Sequence, residues 1–398
     1  MLAQRRDHRR LRRRGGLRFG GGEALSTPSR KLDHLLIARD RSVESLPLNW
    51  FSKISLLHEA LPEEDLQEVD LEVDFLGHRI SAPLIIEGIT GGHSDAEEIN
   101  RALATAAQEF NIPIGVGSQR AALEYPDLVS TFRVAREAAS DVPLIANIGA
   151  THIRGERGIR NVQEVVSMID ADAVAIHLNA LQEAVQPEGQ PEYSGVLSAL
   201  RDLASDVGVP IVVKETGTGI SAQTARAIER TGVAAIDIGG AGGTHWAIIE
   251  GYRYPHDHPL APSPFTFSNW GIPTAVSIVE VSSATRKLTI IGSGGIRSGM
   301  DAAKAIALGA HIAGSALPFL RAYYRGGLDA VKVLLRRFLA ELSWAIFLTG
   351  SRSPGELRLR KPIIALGEPL EWLTQRVGRE WQVYKPGSVS RRWLMGWG

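Results

Sequence analysis

From Ala82 onward the chain alternates two patterns: short continuous apolar runs, and longer stretches with helical spacing. The runs are Pro83 to Ile86, Ile112 to Val116, Val142 to Ala146, Ala173 to Ile176, Val209 to Val213, Ala234 to Ile238, Leu288 to Ile291 and Ala310 to Ala313. Amphipathic helical patterns lie between them, at Ala96 to Phe110, Leu128 to Ala139, Val162 to Ile169, Tyr193 to Ala204, Ser221 to Arg230 and Met300 to Leu308. A continuous apolar run suits a strand buried on both faces, and strands that alternate with helices build a parallel sheet. Eight such units over roughly 250 residues predict an α/β fold, a closed (β/α)8 barrel of the TIM type. An open doubly wound sheet is the alternative, but no G-x-G-x-x-G fingerprint opens the first unit.

The flanks read differently. Phe51 to Leu57 has helical spacing, Leu66 to Ile80 alternates like strands around a Gly77-His78 turn, and Leu328 to Leu348 is helical. The connection from His245 to Ile272 is overlong and rich in Pro, His and aromatics, which predicts a lid or wall over an active site. Residues 1–28 carry a basic run and a glycine triplet with little to bury, and are expected to be a disordered extension. The barrel is expected over 29–370, with a loosely held tail over 371–398.

Composition narrows the chemistry. The 398 residues carry 44 basic and 44 acidic side chains, so no net field steers the chain towards nucleic acid or a membrane. The absence of cysteine excludes disulfides, thiolate metal sites and a cysteine nucleophile, and is compatible with a cytoplasmic location. No apolar run is long enough to span a bilayer, and the start lacks the apolar core of a signal peptide.

Barrel sites are assembled at the carboxyl ends of the strands. Here those ends read Glu87-Gly88-Ile89-Thr90-Gly91-Gly92, Gly117-Ser118-Gln119-Arg120, Asn147-Ile148-Gly149, His177 to Glu183, Lys214-Glu215, Asp237 with Gly239 to Trp246, Ser293-Gly294-Gly295-Ile296-Arg297 and Gly314-Ser315-Ala316. The glycines after strands 7 and 8 offer open backbone N–H groups for a phosphate, with Arg297 as an added charge. Lys214 on the barrel axis suits a Schiff base or the compensation of a negative charge, and its neighbours favour the second. Asn147, Thr90, Ser118 and Thr244 ring the mouth with short hydrogen-bonding groups, as a flavin needs. A second anion is implied as well. Arg30, Lys31 and His34 share one helical face, and with Gln119, Arg120, His177, Asn179 and Gln182 they exceed what one phosphate requires. Glu183 among them is unfavourable beside an anion unless a cation such as Mg²⁺ bridges the two, so the second ligand reads as a diphosphate with a metal.

The series Arg30-Lys31 with His34, Ile89-Thr90-Gly91-Gly92, Gly117-Ser118-Gln119-Arg120, Ala146-Asn147-Ile148-Gly149, His177-Leu178-Asn179 with Leu181-Gln182-Glu183, Gln186-Pro187-Glu188-Gly189, Val213-Lys214-Glu215, Gly242-Gly243-Thr244 with Trp246, Ser293 to Arg297 and Gly314-Ser315-Ala316 resembles the type 2, FMN-dependent isopentenyl-diphosphate delta-isomerases. The resemblance covers roughly 29–350. It departs at Ile89, where the family usually has Met, and at Ala180, where it usually has Pro. It implies FMN bound through Ile89, Thr90, Gly91, Ser118, Asn147, Lys214, Thr244, Gly294, Gly295, Arg297, Ser315 and Ala316. It implies a substrate diphosphate on Arg30, Lys31, His34, Gln119, Arg120, His177, Asn179 and Gln182, with Glu183 on Mg²⁺. Reduced FMN would then be the acid and base, with His177 and Gln182 only supporting and NAD(P)H as the flavin reductant. A homo-oligomer, tetramer or octamer, is expected.

Two other readings remain at this point. One is an FMN oxidoreductase acting on a hydroxy acid or a pyrimidine. Relatives that oxidise hydroxy acids carry a His followed by an Arg in a glycine-bearing loop, and Gly239 to Trp246 has no Arg. Nucleotide dehydrogenases of this fold need a cysteine. The other reading, a non-catalytic flavin or phosphate carrier, leaves Gln182 and Glu183 idle.

Overall fold

The computed structural model describes residues 27–45, 49–255, 257–378 and 381. Each apolar run from Pro83 onward supplies a strand, and the eight strands close into one parallel barrel. In chain order they are β1 (Leu84–Ile86), β2 (Ile114–Gly115), β3 (Leu144–Gly149), β4 (Ala173–Leu178), β5 (Ile211–Glu215), β6 (Ala235–Asp237), β7 (Thr289–Ser293) and β8 (Ile312–Ser315). Strand β8 returns to β1, with Gly314 opposite Ile85, so the barrel leaves no unpaired edge.

The barrel interior is apolar. Ile85, Ile145, Ala175, Val212 and Ile291 pack there together with Phe75 and Ile80, both fully buried. Those two come from a hairpin, Val73–Phe75 with His78–Ile80, which plugs the amino-terminal end. Its turn sits at Leu76-Gly77, one residue before the expected place. Both residues have positive φ, 50° and 90°, the geometry that matches the twist of paired strands.

Five helices position the site: α1 (Thr27–Asp40), α2 (Ala180–Val185), α3 (Trp246–Arg253), α4 (Gly299–Leu308) and α5 (Leu317–Leu348). Serine starts α4 as its pattern requires, with Ser298 Oγ accepting from Asp301 N at 3.1 Å. Helix α5 is two helical pieces that meet at Gly326 and Gly327, where Gly327 takes a φ of 61°; the second piece is the expected helix from Leu328 to Leu348, and the first, from Leu317, was not expected. Helix α1 contacts α3 and α5. Arg321 of α5 donates to Ala38 O at 3.2 Å and Arg41 O at 2.9 Å, capping the last carbonyls of α1.

The lead-in differs from its helical spacing. Only Phe51–Lys53 makes a single 3₁₀ turn, and Ile54–Leu56 is a strand paired antiparallel with Ile363–Ala365. Both expected domain boundaries fall inside helices. Helix α1 starts before residue 29, and Glu368–Arg376 crosses residue 370. Trp372 Nε1 donates to Glu280 Oε1 at 2.9 Å, tying the start of the expected tail to the barrel. The basic run before Thr27 lies outside the described residues.

Candidate active site

The barrel mouth opens into a cavity of about 230 Å³, lined from all eight strand ends and from α1, α2, α3 and α5. Strand register places Gly149 beside His177, His177 beside Lys214, and Lys214 beside Asp237. One residue slip in any of these strands would turn its polar end away from the mouth.

Lys214 is the floor. Its Nζ donates to Glu87 Oε2 at 2.8 Å and to Asp237. Burial opposes the ammonium, but Asp237 and Glu87 outweigh it and raise the Lys214 pKa. Burial and Asp237 push the Glu87 carboxyl up to about 8, against the pull of Lys214.

The loops after β7 and β8 form the phosphate-like end. Gly294 and Gly295 take φ of 103° and 77°, and a Cβ on Gly294 would lie 2.3 Å from Gly240 O. Only glycine allows that approach. Among the described residues the N–H groups of Gly294, Gly295 and Ala316 have no partner, and the amino terminus of α4 lies beside them. Ser315 Oγ ties the two loops together through Ile296 O at 2.9 Å. Arg297 lines the cavity, but its guanidinium already donates to Glu44 Oε1 at 2.6 Å.

The rim carries Ile89, Thr90, Ser118 and Thr244, all lining the cavity. Asn147 Nδ2 donates to Val116 O at 3.0 Å, so its Oδ1 accepts from His177 Nδ1 at 2.7 Å. His177 therefore carries its proton on Nδ1 and keeps a lone pair on Nε2. Burial, then Lys31, His152 and Lys214, hold its pKa down to about 3, so the ring is neutral.

The opposite side holds the cations Arg30, Lys31 and Arg120, with His34 among them, and all four line the cavity. Burial, the largest influence, holds the His34 pKa below its ordinary value despite Glu250 beside it. Burial first, then repulsion from Arg30 and Arg120, lowers the Lys31 pKa to about 7. The Arg30 pKa is lowered by burial and by Arg120. His34 Nε2 lies 2.9 Å from Glu250 Oε1, and Trp246 stands edge-on to its ring at 5.2 Å.

Asn179, Gln182 and Glu183 form one hydrogen-bonded unit at the start of α2. Asn179 Nδ2 donates to Gln182 Oε1 at 3.1 Å and to Glu183 Oε1 at 3.0 Å. Glu183 Oε2 accepts from Gln186 Nε2 at 3.0 Å and Gln190 N at 2.7 Å. All these partners are neutral, so no protein cation offsets the Glu183 charge through a hydrogen bond. Among the described residues no group of three His, Asp or Glu is arranged to hold a metal. The chain itself offers Mg²⁺ one carboxylate, which fits only a metal that a ligand's phosphates also bind.

Two expected contacts do not reach the cavity. Gln119 is fully buried behind the mouth. Its Oε1 accepts from Asn147 N at 2.9 Å and its Nε2 donates to Val165 O at 2.8 Å, so it braces the site and touches no ligand. Gly91 packs on Phe132, where a Cβ would lie 2.0 Å from the ring.

Residues that sequence reasoning missed complete the wall. Glu250 of α3 is fully buried. It accepts from Gln182 Nε2 at 2.7 Å and Arg253 Nη1 at 2.6 Å. Burial opposes its charge, but His34, Arg253 and Gln182 hold its pKa down to about 2. Arg253 also grips Glu188 through two hydrogen bonds, 3.1 and 2.7 Å. Tyr193 orients Asn179, accepting from its N–H at 3.0 Å and donating to its Oδ1 at 2.9 Å. The connection from His245 to Ile272, expected as a lid or wall, contributes Trp246 and Ile249 of α3 to the cavity wall.

A family profile for FMN-dependent dehydrogenase matches residues 160–361. An isopentenyl-diphosphate delta-isomerase of Methanothrix thermoacetophila is 50% identical over 354 residues, covering 88% of this chain and 97% of that relative. The chain belongs to the isopentenyl-diphosphate delta-isomerase family. A second such relative, from Ignicoccus hospitalis, is 42% identical over 360 residues, covering 90% of this chain and 99% of its own length. Among solved structures, mandelate oxidase with (S)-2-phenylpropionate superposes with a TM-score of 0.60 at 18% identity, over 85% of this chain and 94% of that one. A lactate oxidase of Pediococcus acidilactici gives 0.57 at 15%, over 81% and 87%. At that identity the likeness is one of fold. Membership in the isomerase family and the FMN-dependent profile agree with the glycine cradle, the unpaired N–H groups and the buried lysine, which together fit an FMN.

Proposed function

We propose that this chain interconverts isopentenyl diphosphate and dimethylallyl diphosphate, with FMN over the barrel mouth and Mg²⁺ at the diphosphate. The observation that carries the reading is the gathering of Arg30, Lys31 and Arg120 at one side of the cavity. Burial first, then their mutual repulsion, lowers the pKa of Lys31 and Arg30; Glu124 pairs with Arg120 at 2.7 Å but leaves both pKa values depressed, so a bound anion would offset the remainder. The Methanothrix and Ignicoccus isomerases, alike over nearly their whole lengths, support the substrate.

FMN, once reduced, supplies the acid and the base for the allylic proton shift. The chain's own residues bind and orient. Gly294, Gly295, Ser315 and Ala316 would hold the FMN phosphate, and Arg297, held by Glu44, stiffens that loop. Thr90, Ser118, Asn147, Thr244 and Ile89 line the cavity where the ring would sit and would hold it, and Lys214 would offset negative charge on it. Arg30, Lys31, His34 and Arg120 hold the diphosphate, and Glu183 gives Mg²⁺ its protein carboxylate. Gln182 has both ends of its amide occupied, by Glu250 and Asn179, so it shapes the wall and moves no proton. His177 is neutral and presents Nε2 as an acceptor. NAD(P)H would be the reductant of the bound flavin, and the substrate would undergo no net redox change. The same reading carries a homo-oligomeric, cytoplasmic enzyme with neither a nucleic-acid nor a membrane partner; among the described residues no helix is long and apolar enough to cross a membrane.

Nothing favours hydroxy-acid oxidation. His245, the histidine in the loop after β6, is fully buried, with its Nε2 3.2 Å from Trp270 O. The test is Glu183→Gln. Loss of Mg²⁺-dependent turnover with the yellow flavin retained is the expected result, and full turnover overturns the reading.

A further inference from the structure

Two carboxylates share one ammonium beneath the expected ring. Glu87 follows β1, Lys214 belongs to β5 and Asp237 ends β6, and the lysine donates to both acids. Asp237 has a second donor, Ser293 of β7. Glu87 has none: its Oε1 is buried without a hydrogen-bond partner. It points at Gly314 of β8, where a Cβ would lie 2.2 Å away. Below the cluster the barrel interior is lined by Ile85, Ile145, Val212 and Ile291. From β3 and β4 the nearby groups are Asn147 and the neutral His177. Lys214 is thus the one cation among the described residues that faces Glu87.

An ionised carboxylate with one bare oxygen over an apolar floor is costly, and a second carboxylate on the same ammonium makes it more so. Of the two acids, Glu87 is the one that yields. Its pKa lies at about 8, while Asp237 keeps the serine and the lysine.

We propose that Glu87 is the proton-balancing partner of Lys214, a positioning residue that takes up a proton when the bound flavin is reduced. The inference rests on the FMN reading above. When the ring gains two electrons and one proton, its added negative charge draws on Lys214. A lysine shared with two ionised acids has little charge to give. A proton from solvent then converts the Glu87 carboxylate to the neutral acid, and Lys214 is left to serve Asp237 and the ring. Above pH 8 reduction therefore consumes two electrons and two protons, one on the ring and one on Glu87. Below pH 8 Glu87 already carries its proton, and only the ring takes one.

The test is a redox titration of the flavin-loaded protein with dithionite from pH 6.5 to 9.5. For a two-electron couple each proton shifts the midpoint potential by about 30 mV per pH unit. The wild type should steepen from about 30 to about 60 mV per pH unit near pH 8, whereas Glu87→Gln should hold about 30 mV throughout. Equal slopes overturn the proposal. Should Glu87→Gln not fold, the reduced-minus-oxidised infrared spectrum of the wild type at pH 9 decides. A protonated-carboxyl band that appears on reduction supports the proposal, and its absence overturns it. A protein that retains no flavin gives no potential at all, which overturns the FMN reading and this inference with it, an outcome distinct from equal slopes.

Discussion

Lys31 offers the sharpest probe of the anion site. Its ammonium sits partly buried beside Arg30 and Arg120, with its Nζ 3.3 Å from Ser118 O. Its pKa of about 7 is therefore well below the ordinary 10.5. At pH 8 the free protein holds Lys31 ~90% deprotonated. A diphosphate supplies the missing counter-charge and returns the proton, so binding at pH 8 takes up about 0.9 proton at this site. The sign follows: a group whose pKa is depressed when free and restored when bound weakens binding as pH rises through the free value. With the bound pKa near 10.5, the Kd rises about 50-fold from pH 7 to pH 9, or ~2.3 kcal/mol. Calorimetry of inorganic diphosphate at pH 8, in buffers of different ionisation enthalpy, reads the proton uptake directly. Subtracting Lys31→Gln removes the ligand's own ionisation. An uptake equal in wild type and variant refutes the reasoning.

Further outcomes follow from the same geometry. Lys31→Met relieves charge repulsion and should raise the melting temperature by a few degrees while weakening diphosphate binding, as expected where function is bought with stability. Gln119→Ala should cost about 1–3 kcal/mol in denaturant unfolding, since it strips Asn147 N and Val165 O of buried partners. Gly314→Ala should lower stability by about 1–3 kcal/mol through its clash with Glu87, and Glu87→Ala in the same chain should restore part of the loss. Nitrogen NMR should find His177 as a neutral Nδ1–H ring with no titration between pH 5 and 8, because its pKa is near 3.

The barrel was legible because buried parallel strands need continuous apolar runs, and each of the eight runs became a strand. Most proposed ligand residues were legible for the same reason: a polar group that ends such a run emerges at the mouth, as Asn147, His177 and Lys214 do. What failed was the facing of residues past the strand ends. Gln119 follows Ser118 by one position, yet only Ser118 lines the cavity, because Gln119 turns inward to hold Asn147 N. Glu250 was hidden in a loop-like stretch, and its one signal was Arg253 three residues on. Glu87 had a plainer signal, a carboxylate that ends the apolar run of β1. The pairing of Ile54–Leu56 with Ile363–Ala365 depends on distant packing that local spacing does not encode.

The central claim is isomerisation with a reduced flavin. The direct measurement is an anaerobic assay of the purified protein with FMN, NADPH, Mg²⁺ and isopentenyl diphosphate, following dimethylallyl diphosphate. The account predicts product only once the flavin is reduced. Full turnover with the flavin held oxidised, or no product with it reduced, would contradict it.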